Sequence, residues 1–174
     1  MQTLKLVILF SWVTIFSCAQ RPEERGKVNW RTLEDVAAKF KQEKKPVLID
    51  LYTNWCGWCK VMDKRTYGNA KVSAYINEKF SAVKLNAETK KTLSWNGRDY
   101  EFNPRMGTND FAVWLTNGQL SYPTTVFIPA DGEPQAIPGF LAPAEFELLV
   151  KYFGEGQYGK VSFEKWQKEF KSSW

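Results

Sequence analysis

The sequence contains no histidine among its 174 residues. That removes imidazole as a general acid or base, Ser-His and Cys-His nucleophile pairs, haem ligation by His and every zinc site built on imidazole. Cysteine is scarce: Cys18, Cys56 and Cys59 are the whole supply, too few for a disulfide scaffold. Runs of like charge are also missing. The 24 Lys and Arg are interleaved with 19 Asp and Glu for a net charge of +5, so no nucleic-acid footprint is expected. Long apolar runs are missing too, with one short exception at the N-terminus. What remains, 44% hydrophobic and 25% charged residues, is the composition of one ordinary globular domain. A chain of this length buries enough surface to fold without metal or cross-links.

The short exception is Leu6 to Phe16 (LVILFSWVTIF), preceded only by the charge of Lys5. As a helix it rises about 16 Å, roughly half of a bilayer core of about 30 Å, so it is too short to span. A positive start, a short apolar run and small residues after it predict a secretory signal over residues 1–19. Two cuts fit. Ser17-Cys18 resembles the lipobox of bacterial lipoproteins, in which Cys18 would become the lipidated first residue. Ser17-Cys18-Ala19 also satisfies the small-x-small rule for a cut before Gln20. Phe16 departs from the lipobox pattern, yet the lipoprotein reading is favoured because a lone Cys18 has no other task. Either cut places the protein in the periplasm or at the outer membrane, an oxidising compartment where cysteine pairs form disulfides. Any membrane contact is expected through the lipid alone.

Residues 20–31 read as a tether, and 32–153 as the folded domain. Thr32 with Asp35 opens a helical pattern, Leu33-Val36-Ala37-Phe40, that runs to about Lys44. Val47 to Tyr52 is a continuous apolar run suited to a central strand buried on both faces. The Cys56-Gly57-Trp58-Cys59 segment follows, then a helix to about Arg65. A second helix capped by Asn69 leads to a buried strand, Ser81 to Asn86. Between 87 and 121 the pattern weakens. Ser94 to Tyr100 predicts a hairpin around Asn96-Gly97, and Asp110 to Leu115 a short helix. Tyr122 to Ile128 and Gln135 to Ile137 read as strands, and Ala142 to Phe153 as a helix. Residues 154–174 read as a flexible break and an amphipathic helix with Phe163, Trp166 and Phe170 on one stripe. The order implies an α/β fold, a mixed sheet with helices on both faces.

Two cysteines three apart, where a buried strand meets a helix, put one sulfur at the helix N-terminus. Partial positive charge and free N–H groups there stabilise a thiolate. Cys56 is therefore expected to be the exposed nucleophile, and Cys59, half covered, the residue that resolves a mixed disulfide. Zinc would need further ligands, and the chain has neither a second cysteine pair nor a histidine. A purely structural clip would close too small a loop to restrict the unfolded chain much.

Trp55-Cys56-Gly57-Trp58-Cys59-Lys60 after one strand, with Tyr122-Pro123-Thr124 before another, resembles the thioredoxin family. Asp50, Val83-Lys84-Leu85-Asn86 and Gly139 extend the likeness. The run Lys45 to Tyr52 with the motif after it looks most like the C-terminal periplasmic domain of the thiol:disulfide interchange protein DsbD and related exported proteins. The resemblance implies a thioredoxin-like fold and a thiol:disulfide oxidoreductase, a reductase or interchange protein that works through Cys56 and Cys59 without a bound cofactor. It implies that Asp50 and Lys84 form a buried pair beneath the disulfide. Asp50 would have a raised pKa and take the proton of Cys59. The matching positions also make Pro123 cis and place Trp55, Gly57, Trp58, Tyr122, Pro123 and Gly139 along a substrate groove. For Lys84 the residues alone equally allow a solvated strand end. Expected partners are protein thiols and disulfides and a membrane thiol reductase, with the chain acting as a monomer.

Two departures stand out. Trp58 brings no positive charge to the dipeptide between the cysteines, which argues against a strong oxidant. The segment 87–121 is longer than its counterpart in a minimal thioredoxin. Its Trp95, Tyr100, Phe102, Phe111 and Trp114 fit either a partner-binding surface or a small satellite core. The first choice leaves open a rival function, a non-catalytic partner-binding lipoprotein on a thioredoxin scaffold.

Overall fold

A computed structural model describes residues 26–174. The signal at 1–19, the lipidation site Cys18 and the first part of the tether, 20–25, lie outside the described residues. The first helix, α1 (Leu33–Glu43), starts where Thr32 accepts the N–H of Asp35 at 3.1 Å and ends on Lys44, whose φ of 48° breaks the helical path. Strand β1 (Val47–Tyr52) follows, then α2 (Gly57–Met62). The helix expected to end near Arg65 continues instead as a π-helical turn, Asp63–Tyr67. Asn69 caps α3 (Ala70–Lys79), whose end leads into β2 (Ser81–Asn86).

The central sheet is completed by β7 (Thr124–Ile128) and β8 (Gln135–Pro138), in the order β2-β1-β7-β8. Strand β1 runs parallel to β2 and antiparallel to β7, and β7 antiparallel to β8. The sheet is mixed, as the element order implied. Its β1 is buried through Leu51 because helices cover both faces. Leu48, Met62, Val72, Ile76, Phe127 and Phe146 fill the face under α2, α3 and α5 (Pro143–Gly154). Ile49, Leu51, Val83 and Val126 fill the other, under α1 and α4 (Asp110–Leu115).

The 87–121 insertion belongs to this second core. It forms a hairpin of β3 (Leu93–Trp95) and β4 (Arg98–Tyr100), turned by Asn96 and Gly97, both at positive φ. A second small ribbon, β5 (Phe102–Asn103) with β6 (Thr108–Asn109), was not legible in the sequence. Trp95, Tyr100 and Phe111 are buried, and Trp95 packs on Phe40 of α1 with ring centroids 4.9 Å apart. Trp95, Tyr100 and Phe111 therefore make core, Trp114 packs half-buried against it, and Phe102 lies half-buried beneath the Lys90 ammonium.

Beyond the sheet, α6 (Phe163–Glu169) lies against α5, with Trp166 Nε1 donating to the Leu148 carbonyl at 3.1 Å. The last residues fold back over α5. The buried Glu147 carboxylate accepts bonds from Lys151 Nζ (2.6 Å), Ser172 Oγ (2.5 Å), and Ser173 N and Oγ (2.8 and 3.0 Å). Burial alone would push its pKa up, but these bonds outweigh it and hold the group at about 2. Among the described residues no helix is long and apolar enough to cross a membrane.

Candidate active site

Where β1 ends, the Thr53 carbonyl accepts the N–H of Cys56 at 3.2 Å and turns the chain into α2. Cys56 is the N-cap of that helix. Its Sγ accepts the N–H of Cys59 at 3.0 Å, and the two cysteines are joined as a disulfide. The expected exposure of Cys56 is corrected here. Cys56 is only 4% exposed and Cys59 3%. The half-cystine sulfur of Cys56 turns inward, toward Cys59 Sγ and the first-turn N–H, and leaves little surface of its own. What faces solvent is the pair of flanking indoles, Trp55 at 68% and Trp58 at 61%.

Each indole leans on an aromatic residue from the other end of the fold. Trp55 stands edge-on to Tyr122, and Trp58 tilts against Phe140, with centroids 5.9 and 5.6 Å apart. The Trp55 indole N–H donates to Glu88 Oε1 at 2.7 Å. Tyr122-Pro123 is a cis peptide. The Gly139 N–H donates to the Pro123 carbonyl at 2.8 Å, and its φ of +96° is one that a residue with a side chain rarely adopts. The contacts of Trp55 with Tyr122 and of Trp58 with Phe140 bring the cis-Pro loop and the turn at Gly139 to the segment that carries the cysteines.

A charged network lies behind. The β1–β2 register sets Asp50 opposite Lys84, and the two are ion-paired. Lys84 also reaches Asp63 at 2.5 Å, and its ammonium lies 4.7 Å from the Tyr52 ring centroid. Lys84 is therefore no solvated strand end. Asp50 is 1% exposed, and burial raises its pKa to about 6 even though the Lys84 charge pulls it down. For Lys84, burial acts downward but the two carboxylates outweigh it, leaving the pKa raised. Tyr67 on the same side hydrogen-bonds Thr125 at 3.2 Å, and burial pushes its phenol well up. Asp63, with a side chain 42% exposed, borders an open cleft of about 260 Å³ with Val28, Trp30, Tyr67 and Lys84.

Sequence reasoning missed Asp63, Glu88 and Phe140. The spacing of Asp63 was the available signal. It stands one helical turn after Cys59, and its N–H donates to the Cys59 carbonyl. Among the described residues no group of three or more His, Cys, Asp or Glu is placed to hold a metal ion.

A family model for a thioredoxin-like domain matches residues 33–154. The chain belongs to the thioredoxin-like family. It is a thioredoxin-like oxidoreductase whose redox pair is Cys56 and Cys59. Thioredoxin from Borreliella burgdorferi is 28% identical over 109 residues, 63% of this chain and 74% of that one. The thiol:disulfide interchange protein DsbD of Vibrio vulnificus is 26% identical over 141 residues, which is 78% of this chain but only 21% of DsbD. Among solved structures, a thioredoxin-fold protein from Helicobacter pylori superposes with a TM-score of 0.58 at 22% identity, over 80% of this chain and 90% of that one. This last likeness bears on the fold. The thioredoxin-like domain accounts for the sheet, the cysteine pair and the cis-Pro loop. The matched span also includes the 87–121 ribbons and ends before the 155–174 appendage.

Proposed function

We propose that this chain is an exported reductase of protein disulfides, anchored through a lipidated Cys18, with Cys56 as attacking and Cys59 as resolving sulfur. The observation that carries the reading is the Cys56–Cys59 disulfide at a helix start, with the Asp50–Lys84–Asp63 network behind it. In the reduced protein the Cys56 thiolate attacks a substrate disulfide. The substrate S–S bond breaks, a mixed disulfide forms, and the first substrate sulfur leaves as a thiolate. Asp50 accepts the Cys59 proton, and the Cys59 thiolate attacks the Cys56 sulfur. The mixed disulfide breaks, Cys56–Cys59 re-forms and the second substrate thiolate departs. Two electrons pass from the dithiol to the substrate, and external thiols must restore them.

A group with a pKa of about 6 can take and release a proton near neutrality, which suits Asp50 to this step. Trp58 adds no cation to stabilise the thiolate, which favours a reductase over a strong oxidant. The likeness to DsbD supports export and a membrane thiol reductase as electron donor. The rival reading, a binding module using the aromatic residues of the insertion, loses its surface because Trp95, Tyr100 and Phe111 are buried.

Reduction of insulin by dithiothreitol, with and without the protein, tests the reading. Acceleration is expected, abolished in Cys56→Ser, while Cys59→Ser accumulates mixed disulfides on non-reducing gels. A wild-type protein that leaves the rate unchanged, or equal trapping by both variants, refutes it.

A further inference from the structure

Residues 26–31, ahead of α1, are fastened to β2 and α3. The Asn29 N–H donates to Asn77 Oδ1 at 2.8 Å, and the Asn77 amide donates back to the Lys27 carbonyl at 3.0 Å. The Arg31 N–H donates to the Ala82 carbonyl at 2.8 Å, and Val28 is buried. Held on both sides, Trp30 stands edge-on to Tyr67 with ring centroids 5.1 Å apart, half-buried against the core under α2 and α3.

This segment meets the charged network at Lys84. The Lys84 ammonium is 5.6 Å from the Trp30 ring centroid and 4.7 Å from that of Tyr52, and it is ion-paired with both Asp50 and Asp63. Two carboxylates and two aromatic rings thus surround one cation. A ring face carries negative potential and attracts an ammonium within roughly 6 Å of its centroid, without adding a net charge. The attraction matters because the Lys84 side chain is 25% exposed and borders the open cleft together with Trp30, Asp63 and Tyr67. An ammonium on a flexible stem can swing into such a cleft, where water screens its pull on Asp50. Trp30 opposes that swing. The other titratable groups around the pair are Asp63, Lys27, which lines the cleft, and Tyr67, whose phenol burial keeps neutral.

We propose that Trp30 is a positioning residue of the redox site, its indole holding the Lys84 ammonium between Asp50 and Asp63 and so keeping that charge on the Asp50 carboxylate. The proposal deepens the reductase reading, in which Asp50 takes the Cys59 proton. Without the indole, Lys84 pulls the Asp50 pKa down less, and the carboxylate binds its proton more tightly. The test follows the Asp50 carboxyl by NMR in oxidised protein labelled with carbon-13 at aspartate, a titration that needs no turnover. Trp30→Leu moves the midpoint up by about half a pH unit, roughly threefold in proton affinity, while Trp30→Phe, which keeps a ring face, stays within about 0.2 unit. Trp30→Met repeats the Leu comparison with a longer apolar chain should the Leu variant fail to fold. In Lys84→Met the midpoint is already raised, and adding Trp30→Leu moves it no further, because the indole acts only through that ammonium. The pH profile of mixed-disulfide release shifts in parallel. A midpoint that stays put or falls in Trp30→Leu or Trp30→Met, or that moves equally in the Lys84→Met background, overturns the positioning role. A carboxyl midpoint that rises while the release profile stays put upholds Trp30 and removes Asp50 as the base of the reductase reading.

Discussion

Replacing Asp50 by Asn isolates what the buried carboxylate costs the fold and what it does for the reaction. Burial lifts its pKa from 3.8 to about 6. A shift of roughly two units corresponds to about 3 kcal/mol of preference for the neutral form. The folded-state pKa lies above the unfolded one, so this stability is fully present below pH 3.8 and is lost as pH rises through about 6. Asn is neutral at every pH and escapes that loss. Its introduction does not strand Lys84, which keeps Asp63 and is a quarter exposed. Urea unfolding of the oxidised proteins at pH 4, 6 and 8 should show nearly equal stability at pH 4 and an advantage of about 2–3 kcal/mol for Asp50→Asn at pH 8. With urea slopes of about 1–3 kcal/mol per molar, the midpoint moves by at least about 0.7 M. Turnover moves the opposite way. At pH 7 the variant should release mixed disulfides at least about tenfold more slowly, because general-base assistance to Cys59 is lost. A stability difference that stays constant from pH 4 to pH 8 would refute the electrostatic reasoning, and unchanged release would make Asp50 a structural residue.

Three further outcomes follow from other parts of the chain. Lys84→Met removes the charge that pulls the Asp50 pKa down, so the midpoint of the pH profile for mixed-disulfide release should move above about 6; an unmoved midpoint would detach Lys84 from the proton path. Deleting residues 170–174 strips Glu147 of its Ser172 and Ser173 partners and should lower the melting temperature by about 5–10 °C at pH 7. Because the folded pKa of Glu147 is depressed to about 2, that stability is present above pH 4.5 and lost as pH falls toward 2, so the deficit should shrink in acid. Intact mass of the native protein should give a chain beginning at an acylated Cys18; a chain beginning at Gln20 without an adduct would remove the anchor and leave the redox site untouched.

The parts of this fold that the sequence revealed are those where local chemistry and tertiary context agree. Thr32 and Asn69 cap the helices their patterns announced, and the run from Val47 to Tyr52, apolar but for Asp50, became the central strand. Lys84 was ambiguous because period and propensity say nothing about a partner 34 positions away; only the parallel register of β1 and β2 sets it opposite Asp50. Asp63 escaped for a different reason. A helix expected to end near Arg65 gives no special standing to a charge within it, and only the tertiary arrangement sets Asp63, at the end of α2, against Lys84 of β2. The insertion resisted reading because its aromatic residues alternate with Gly, Asn and Pro, so neither strand nor helix period dominates. Cys56 was misjudged in exposure because a spacing motif reports which residue begins a helix, not how the bonded sulfurs turn.

The proposed reaction would send electrons and protons by separate routes. Electrons enter and leave through the disulfide, on the face bounded by Trp55, Trp58 and the cis-Pro loop. In the proposed reaction a proton accepted by Asp50 would have another exit. Lys84 bridges it to Asp63, and both border the cleft beside Trp30 and Tyr67. That cleft is walled on one side by residues 26–30, and the chain there is tied down where Arg31 bridges to Val83 and its N–H donates to the Ala82 carbonyl at 2.8 Å. Docking of a protein over the indoles would exclude water from the sulfurs and strengthen charge interactions there. The cleft's lining shares no residue with that face, so in the proposed reaction the acid would have a route to solvent while a substrate is still attached. A site with a single opening would have to release its substrate before it could discharge the proton, and on the proposed path the second opening would remove that constraint.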